Sequence, residues 1–176
     1  EGVYETPEDI AAEAAKTAER AARADADSPI APVDPFEPGS LGWLLPWAET
    51  GEGDVLTPDE GVYPDRLRDL PDLPLALYVT GDIACLNGRR YAGMVGTRRP
   101  STYGRQAAFD LSLAMARAGV VLVSGLADGL DSEAHRAAVQ ADVPTVAFLG
   151  TAIDKTYPAS NAKLRTAIEK GGGAVC

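Results

Sequence analysis

The chain has 176 residues, 45% of them hydrophobic, which is enough for one packed domain and some additional chain. Its two cysteines, Cys85 and Cys176, are far apart in sequence and it has a single histidine, so a disulfide framework is excluded and a zinc or di-metal site is disfavoured. The formal net charge of −10 argues at first against nucleic acid, and the absence of a signal peptide or of an apolar run of about 18 residues excludes a membrane span, so a soluble, cytoplasmic protein is expected.

The charge is unevenly spread. Residues 1–60 carry 15 Asp/Glu against 3 Lys/Arg, a net of −12, whereas residues 61–176 carry 11 against 13, a net of +2. The acidity belongs to the N-terminal region, either as an acidic tail beside an anion-binding domain or as a solvated extension. The chain starts at Glu1 and ends at Cys176 inside a predicted strand, so it is expected to be a segment of a longer protein.

Taken in order, Thr6-Pro7-Glu8-Asp9 offers an N-cap, a proline at the first helical position and acids in the first turn, predicting a helix to about Ala24. Ile10 is its only large apolar residue, so it packs weakly. Residues 28–60 hold many of the prolines and glycines and read as linker. Within them Leu41-Gly42-Trp43-Leu44-Leu45-Pro46-Trp47 is apolar enough to dock on a neighbouring surface or a partner. The domain proper is expected over 61–176.

From Tyr63 the pattern becomes regular. Strands are predicted at Leu75–Val79, Tyr91–Val95, Val120–Val123 and Thr145–Leu149, with another starting at Ala174. Helices are predicted over Tyr103–Ala118, with Ala107, Leu111, Ala114, Met115 and Ala118 at helical spacing, over Asp131–Ala141 and over Asn161–Lys170. The alternation of strand and helix predicts an α/β fold, a partial Rossmann-like parallel sheet with right-handed crossovers and flanking helices.

Three glycine-bearing loops follow three successive strands: Gly96-Thr97-Arg98, Ser124 to Gly129, and Gly150 to Asp154. All should emerge at the carboxyl edge of one sheet, where open α/β sheets bind ligands. A strand that breaks at glycine and feeds a helix leaves first-turn amides unpaired and directs the helix dipole at an anion. Arg98 and Arg99 add permanently charged, planar forks beside it. Thr97 and Ser101 either donate to a phosphate or cap the helix. Lys155 either reaches a phosphate from the third loop or is simply solvated. Tyr103 and Tyr157 either stack on bases or pack. His135 reads as a packed helix residue rather than an acid–base group, and Asp131 as a helix N-terminal residue. Asp128 and Asp154 are the one carboxylate pair that could do acid–base work, without supporting spacing. The G-x-G-x-x-G fingerprint and the G-x-x-x-x-G-K-[ST] loop are both absent, so no nucleotide cofactor and no metal are expected.

Three ordered motifs carry a resemblance: Gly96-Thr97-Arg98-Arg99-Pro100-Ser101-Thr102-Tyr103-Gly104, Ser124-Gly125-Leu126-Ala127-Asp128-Gly129-Leu130-Asp131-Ser132-Glu133-Ala134-His135, and Gly150-Thr151-Ala152-Ile153-Asp154-Lys155-Thr156-Tyr157-Pro158-Ala159-Ser160-Asn161-Ala162-Lys163-Leu164. With Tyr63-Pro64 and Leu77-Tyr78 upstream, the chain from about Tyr63 to Cys176 resembles the DNA-processing protein A family (DprA, also called Smf). Leu130 stands for the family's isoleucine and Ala152 for its second glycine. The family's later Phe-x-x-Arg-Asn-Arg segment is not in the sequence, and residues 1–60 do not resemble its N-terminal helical domain. The resemblance implies sequence-independent binding of single-stranded DNA in natural transformation, transfer of strands to a RecA-type recombinase, self-association, and no catalysis. Gly96, Thr97, Arg98, Arg99, Ser101, Tyr103, Gly125, Lys155 and Asn161 are the positions expected to contact DNA. The rival readings are a nucleotide-binding sensor or nucleotide-cleaving enzyme on a related fold, whose Pro-Gly-Gly-x-Gly-Thr motif is absent, and an interaction protein using the Trp43/Trp47 segment.

Overall fold

A computed structural model describes residues 53–176, all within the second of two units into which the chain divides, Leu44–Cys176. The predicted helix from Thr6, the Leu41–Trp47 segment and the rest of the acidic extension before residue 53 lie outside the described residues.

The elements in chain order are β1 (Asp54–Leu56), α1 (Asp65–Arg68), β2 (Leu77–Gly81), β3 (Arg90–Gly93), α2 (Thr102–Arg117), β4 (Val120–Ser124), α3 (Leu130–Gln140), β5 (Thr145–Ala147), α4 (Ala162–Lys170) and β6 (Ala174–Val175). Short 3₁₀ turns occupy Ile83–Leu86 and Ala159–Asn161. The strands form one six-stranded sheet in the order β1-β2-β6-β5-β4-β3. β3, β4, β5 and β6 are mutually parallel, as the strand–helix alternation requires. β1 and β2 run antiparallel to their neighbours, which makes the sheet mixed.

Three residues read as linker, Asp54–Leu56, are in β1 and pair with Leu77–Val79 of β2. β2 lies two residues later than its predicted position. Pairing of Thr80 with Val175 and of Gly81 with Ala174 extends the strand to Gly81. A Cβ at Gly81 would run into the Gly173 carbonyl, and its φ of +95° suits glycine.

Each β-α-β crossover moves one strand along in the same direction, so the right-handed rule puts α2, α3 and α4 on one face. The strand period of two then splits the core. Ala147 and Val175 face the helical layer with Leu126 and Ile168. Val146 and Ala174 face the opposite side with Leu56, Tyr63, Leu77, Val79, Cys85, Leu86 and Val121. On that side α1 and the Ile83–Leu86 turn form the cover, tied down by Asn87, which accepts from Asp65 N–H at 2.9 Å and donates to the Val62 and Tyr63 carbonyls.

The predicted apolar face of α2 is corrected. Ala108, Ser112 and Ala116 are its buried residues, whereas Ala107, Ala114 and Ala118 are exposed and Leu111 is 57% exposed. The neighbouring α3 buries Ala134, Ala137 and Ala138 completely. Small side chains let the two helices approach closely, and that approach fixes the rotation of α2. Glu133, itself mostly buried, bridges the pair by accepting from Arg105 of α2 at 3.2 Å and Arg136 of α3 at 2.9 Å.

Candidate nucleic-acid interface

The three glycine-bearing loops leave the carboxyl ends of β3, β4 and β5 side by side. The first two interlock. The Leu130 amide donates to the Thr97 carbonyl at 3.3 Å. Gly129, at φ +89°, brings its backbone so close that a Cβ would collide with the same carbonyl. A Cβ at Gly96 would strike the Leu130 side chain. These glycines are therefore required by loop-on-loop packing, in addition to any role beside a ligand.

Within the first loop, the Thr97 hydroxyl oxygen accepts from the Arg99 amide at 3.1 Å, and Ser101 caps α2 by accepting from the Gly104 amide at 3.1 Å. In both cases the hydroxyl hydrogen stays available to donate. Among the described residues, the amides of Gly96, Thr97 and Arg98 donate to no protein acceptor, and neither do those of Gly150 and Thr151. The Arg98 and Arg99 side chains are exposed and make no ion pair or hydrogen bond among the described residues.

Arg98 lines a cavity of about 210 Å³ with Gly125, Asp128, Gly150, Thr151 and Tyr157. All three loops contribute to it. Tyr157 is 61% exposed and forms part of its wall; Tyr103, at 82% exposed, stands outside it on the first turn of α2. Arg99 is not among the lining residues. Neither is Lys155, whose ammonium is 2.7 Å from the Asp154 carboxylate. Hydrogen bonding with its neighbour holds Asp154 below the usual carboxylate range and raises the Lys155 ammonium above its own. Asp154 is likewise absent from the lining, so Asp128 and Asp154 do not meet in this cavity. No three His, Cys, Asp or Glu side chains cluster as metal ligands among the described residues.

Asn161 is fully buried. Its amide donates to the Leu126 carbonyl and to Ser132 Oγ, both at 2.9 Å, and Ser132 Oγ passes its own hydrogen to the Ala127 carbonyl. It fixes the second loop from below. Gly125 donates its amide to Asp131 Oδ2 at 3.2 Å, so that amide is already engaged. His135 is buried, with Nδ1 2.9 Å from Thr145 Oγ1. The threonine hydrogen goes to the Leu122 carbonyl, so Nδ1 is the protonated ring nitrogen and Nε2 has no partner. Burial pushes its pKa down to about 4. His135 is thus a neutral core residue, as the sequence suggested.

Two supports escaped sequence reading. Ser160 donates to Asp128 Oδ1 at 2.9 Å, joining the second loop to the third. Arg165, on α4, donates to the Ile153 carbonyl at 2.7 Å and the Lys155 carbonyl at 2.9 Å while pairing with Glu169 at 3.0 Å. In sequence Arg165 and Glu169 look like an ordinary i,i+4 helix pair, and nothing local signals that the same guanidinium holds a loop.

The motif-bearing loops recur elsewhere as a unit: the family described as DNA recombination-mediator protein A matches residues 54–176. The chain belongs to that family. DprA of Bacillus subtilis is 37% identical over 102 residues, covering 58% of this chain and 34% of its own length. Protein Smf of Escherichia coli is 34% identical over 131 residues, covering 74% and 35%. The crystal structure of DprA from Streptococcus pneumoniae superposes with a TM-score of 0.63 at 30% identity, over 74% of this chain and 46% of that one. The DprA structure from Helicobacter pylori, described for its single-stranded DNA binding mode, superposes at 0.62 and 30%, over 70% and 55%. The chain therefore spans about a third of these curated relatives and about half of these DprA structures.

Proposed function

We propose that this DprA-family chain binds single-stranded DNA without regard to sequence, through the loop edge at the carboxyl ends of β3, β4 and β5. In this reading Arg98 is the principal phosphate contact, with the free amides of the first and third loops beside it. Thr97 and Ser101 donate their hydroxyl hydrogens, Arg99 and Tyr103 meet the strand outside the cavity, and Lys155 acts at the outer margin. Gly125 and Asn161 shape the second loop. The protein acts in DNA processing during natural transformation, passing strands to a RecA-type recombinase and self-associating, as a binding protein and not an enzyme.

The observation that carries the reading is the meeting of an unpaired guanidinium and unspent amides from two loops at one cavity. Such groups hold phosphates through charge and hydrogen bonding, and phosphate contacts carry no sequence information. Fluorescence anisotropy with labelled oligonucleotides of unrelated sequence tests it. Arg98→Ala should weaken every sequence alike, by about 1 kcal/mol or more. A loss confined to some sequences, or no loss, would refute it.

A further inference from the structure

The cavity that Arg98 enters also holds a carboxylate. Asp128 lines it, anchored by the Ser160 hydroxyl on Oδ1. Among the lining residues Arg98 is the one cation and Asp128 the one anion, so the wall charges cancel. A second carboxylate lies close behind: Asp131, buried at 7% exposure, accepts from the Gly125 amide, and Gly125 lines the cavity. Arg99 and Lys155, the other cations of the first and third loops, do not line the cavity, and Lys155 is paired with Asp154.

This balance separates phosphate ligands by charge. A phosphodiester inside a DNA strand carries one negative charge, which Arg98 matches. A phosphomonoester, whether a free nucleotide or a phosphorylated strand end, carries about −1.5 to −2 at neutral pH. Its extra charge meets no second cation among the lining residues and is repelled by Asp128.

We propose that Asp128 makes the site selective for internal phosphodiesters, rejecting nucleoside monophosphates and 5′-phosphorylated ends. The inference rests on the phosphate-binding reading of the same cavity and extends it to the class of phosphate admitted. It also bears on the rival reading, since a nucleotide sensor or nucleotide-cleaving enzyme must accept the monoester.

The test is competition against a labelled oligothymidylate bound to the 176-residue chain, using two competitors that differ by one charge: thymidine 5′-monophosphate and its methyl ester. With the natural chain the methyl ester should compete better. Asp128→Asn keeps an oxygen for Ser160 and removes the charge. It should improve the monophosphate by roughly two- to fivefold more than the ester, the scale of a single partly exposed charge contact. Ser160→Ala removes the anchor and leaves the charge. It should lower the affinity for both competitors without reversing their order. Equal gains in Asp128→Asn, or stronger competition by the monophosphate in the natural chain, would overturn the inference while leaving DNA binding in place. Failure of the labelled oligothymidylate to bind at all would overturn the phosphate-binding reading and the inference with it.

Discussion

Arg98 and Asn161 both sit in loop motifs that follow a glycine, yet the fold uses them in opposite ways. Arg98 is exposed, unpaired and open to the cavity. Asn161 is buried and spends its amide on two partners of the second loop. The placement of Arg98 at the loop edge was legible in the sequence because it follows a glycine that ends a strand. The use of Asn161 was not, because it depends on a carbonyl 35 residues earlier in the chain. Replacing Asn161 by alanine leaves the Leu126 carbonyl short of a donor in the interior, so stability should fall by about 1–3 kcal/mol. That would appear as a lower urea midpoint with an unchanged slope. A midpoint equal to that of the natural chain would show that the buried amide holds nothing. Arg165 went unread for a related reason, since its pairing with Glu169 hides its grip on the Ile153 and Lys155 carbonyls.

At the scale of the element, α2 shows what periodicity contains and what it omits. The helix was legible to within one residue at each end, from its N-cap at Ser101 to Gly119 beyond its last turn. Its rotation was not legible. Ala107, Leu111, Ala114, Met115 and Ala118 suggested one face, whereas Ala108, Ser112 and Ala116 are the residues the helix buries. Alanine and serine carry little hydrophobic signal, yet they decide how closely two helices approach. Leu111→Lys should therefore change stability by no more than about 0.5 kcal/mol. Ala116→Leu, at a position 1% exposed, should overpack the layer and cost about 1–3 kcal/mol. Paired thermal or urea unfolding reads both, and a large loss in Leu111→Lys with none in Ala116→Leu would restore the face inferred from sequence.

For the molecule as a whole, parallel order and right-handed crossovers gather three loops at one edge and place His135 in the core beneath them. The strand–helix alternation made the order legible, while the antiparallel β1 and β2 depend on pairing that no local pattern records. His135 gives the fold a definite response to acid. In the unfolded chain it takes a proton below its ordinary value of 6.5, and in the fold only below about 4. Between those values the unfolded state binds more protons, so stability should fall as pH drops from 6.5 to 4, by about 3 kcal/mol in total, and change no further through this group below that. Urea midpoints at pH 7 and pH 4.5 should converge more in His135→Gln than in the natural chain; equal drops would place the acid response elsewhere. The loop edge itself is tested most directly by the salt dependence of oligonucleotide affinity, measured side by side for the natural chain and Arg98→Ala. Affinity should fall steeply with salt in the natural chain, and the variant should show a slope of log affinity against log salt shallower by about 0.7, one phosphate contact on a single strand. Two parallel lines would mean that Arg98 touches no phosphate, and the loop edge would not be the DNA site.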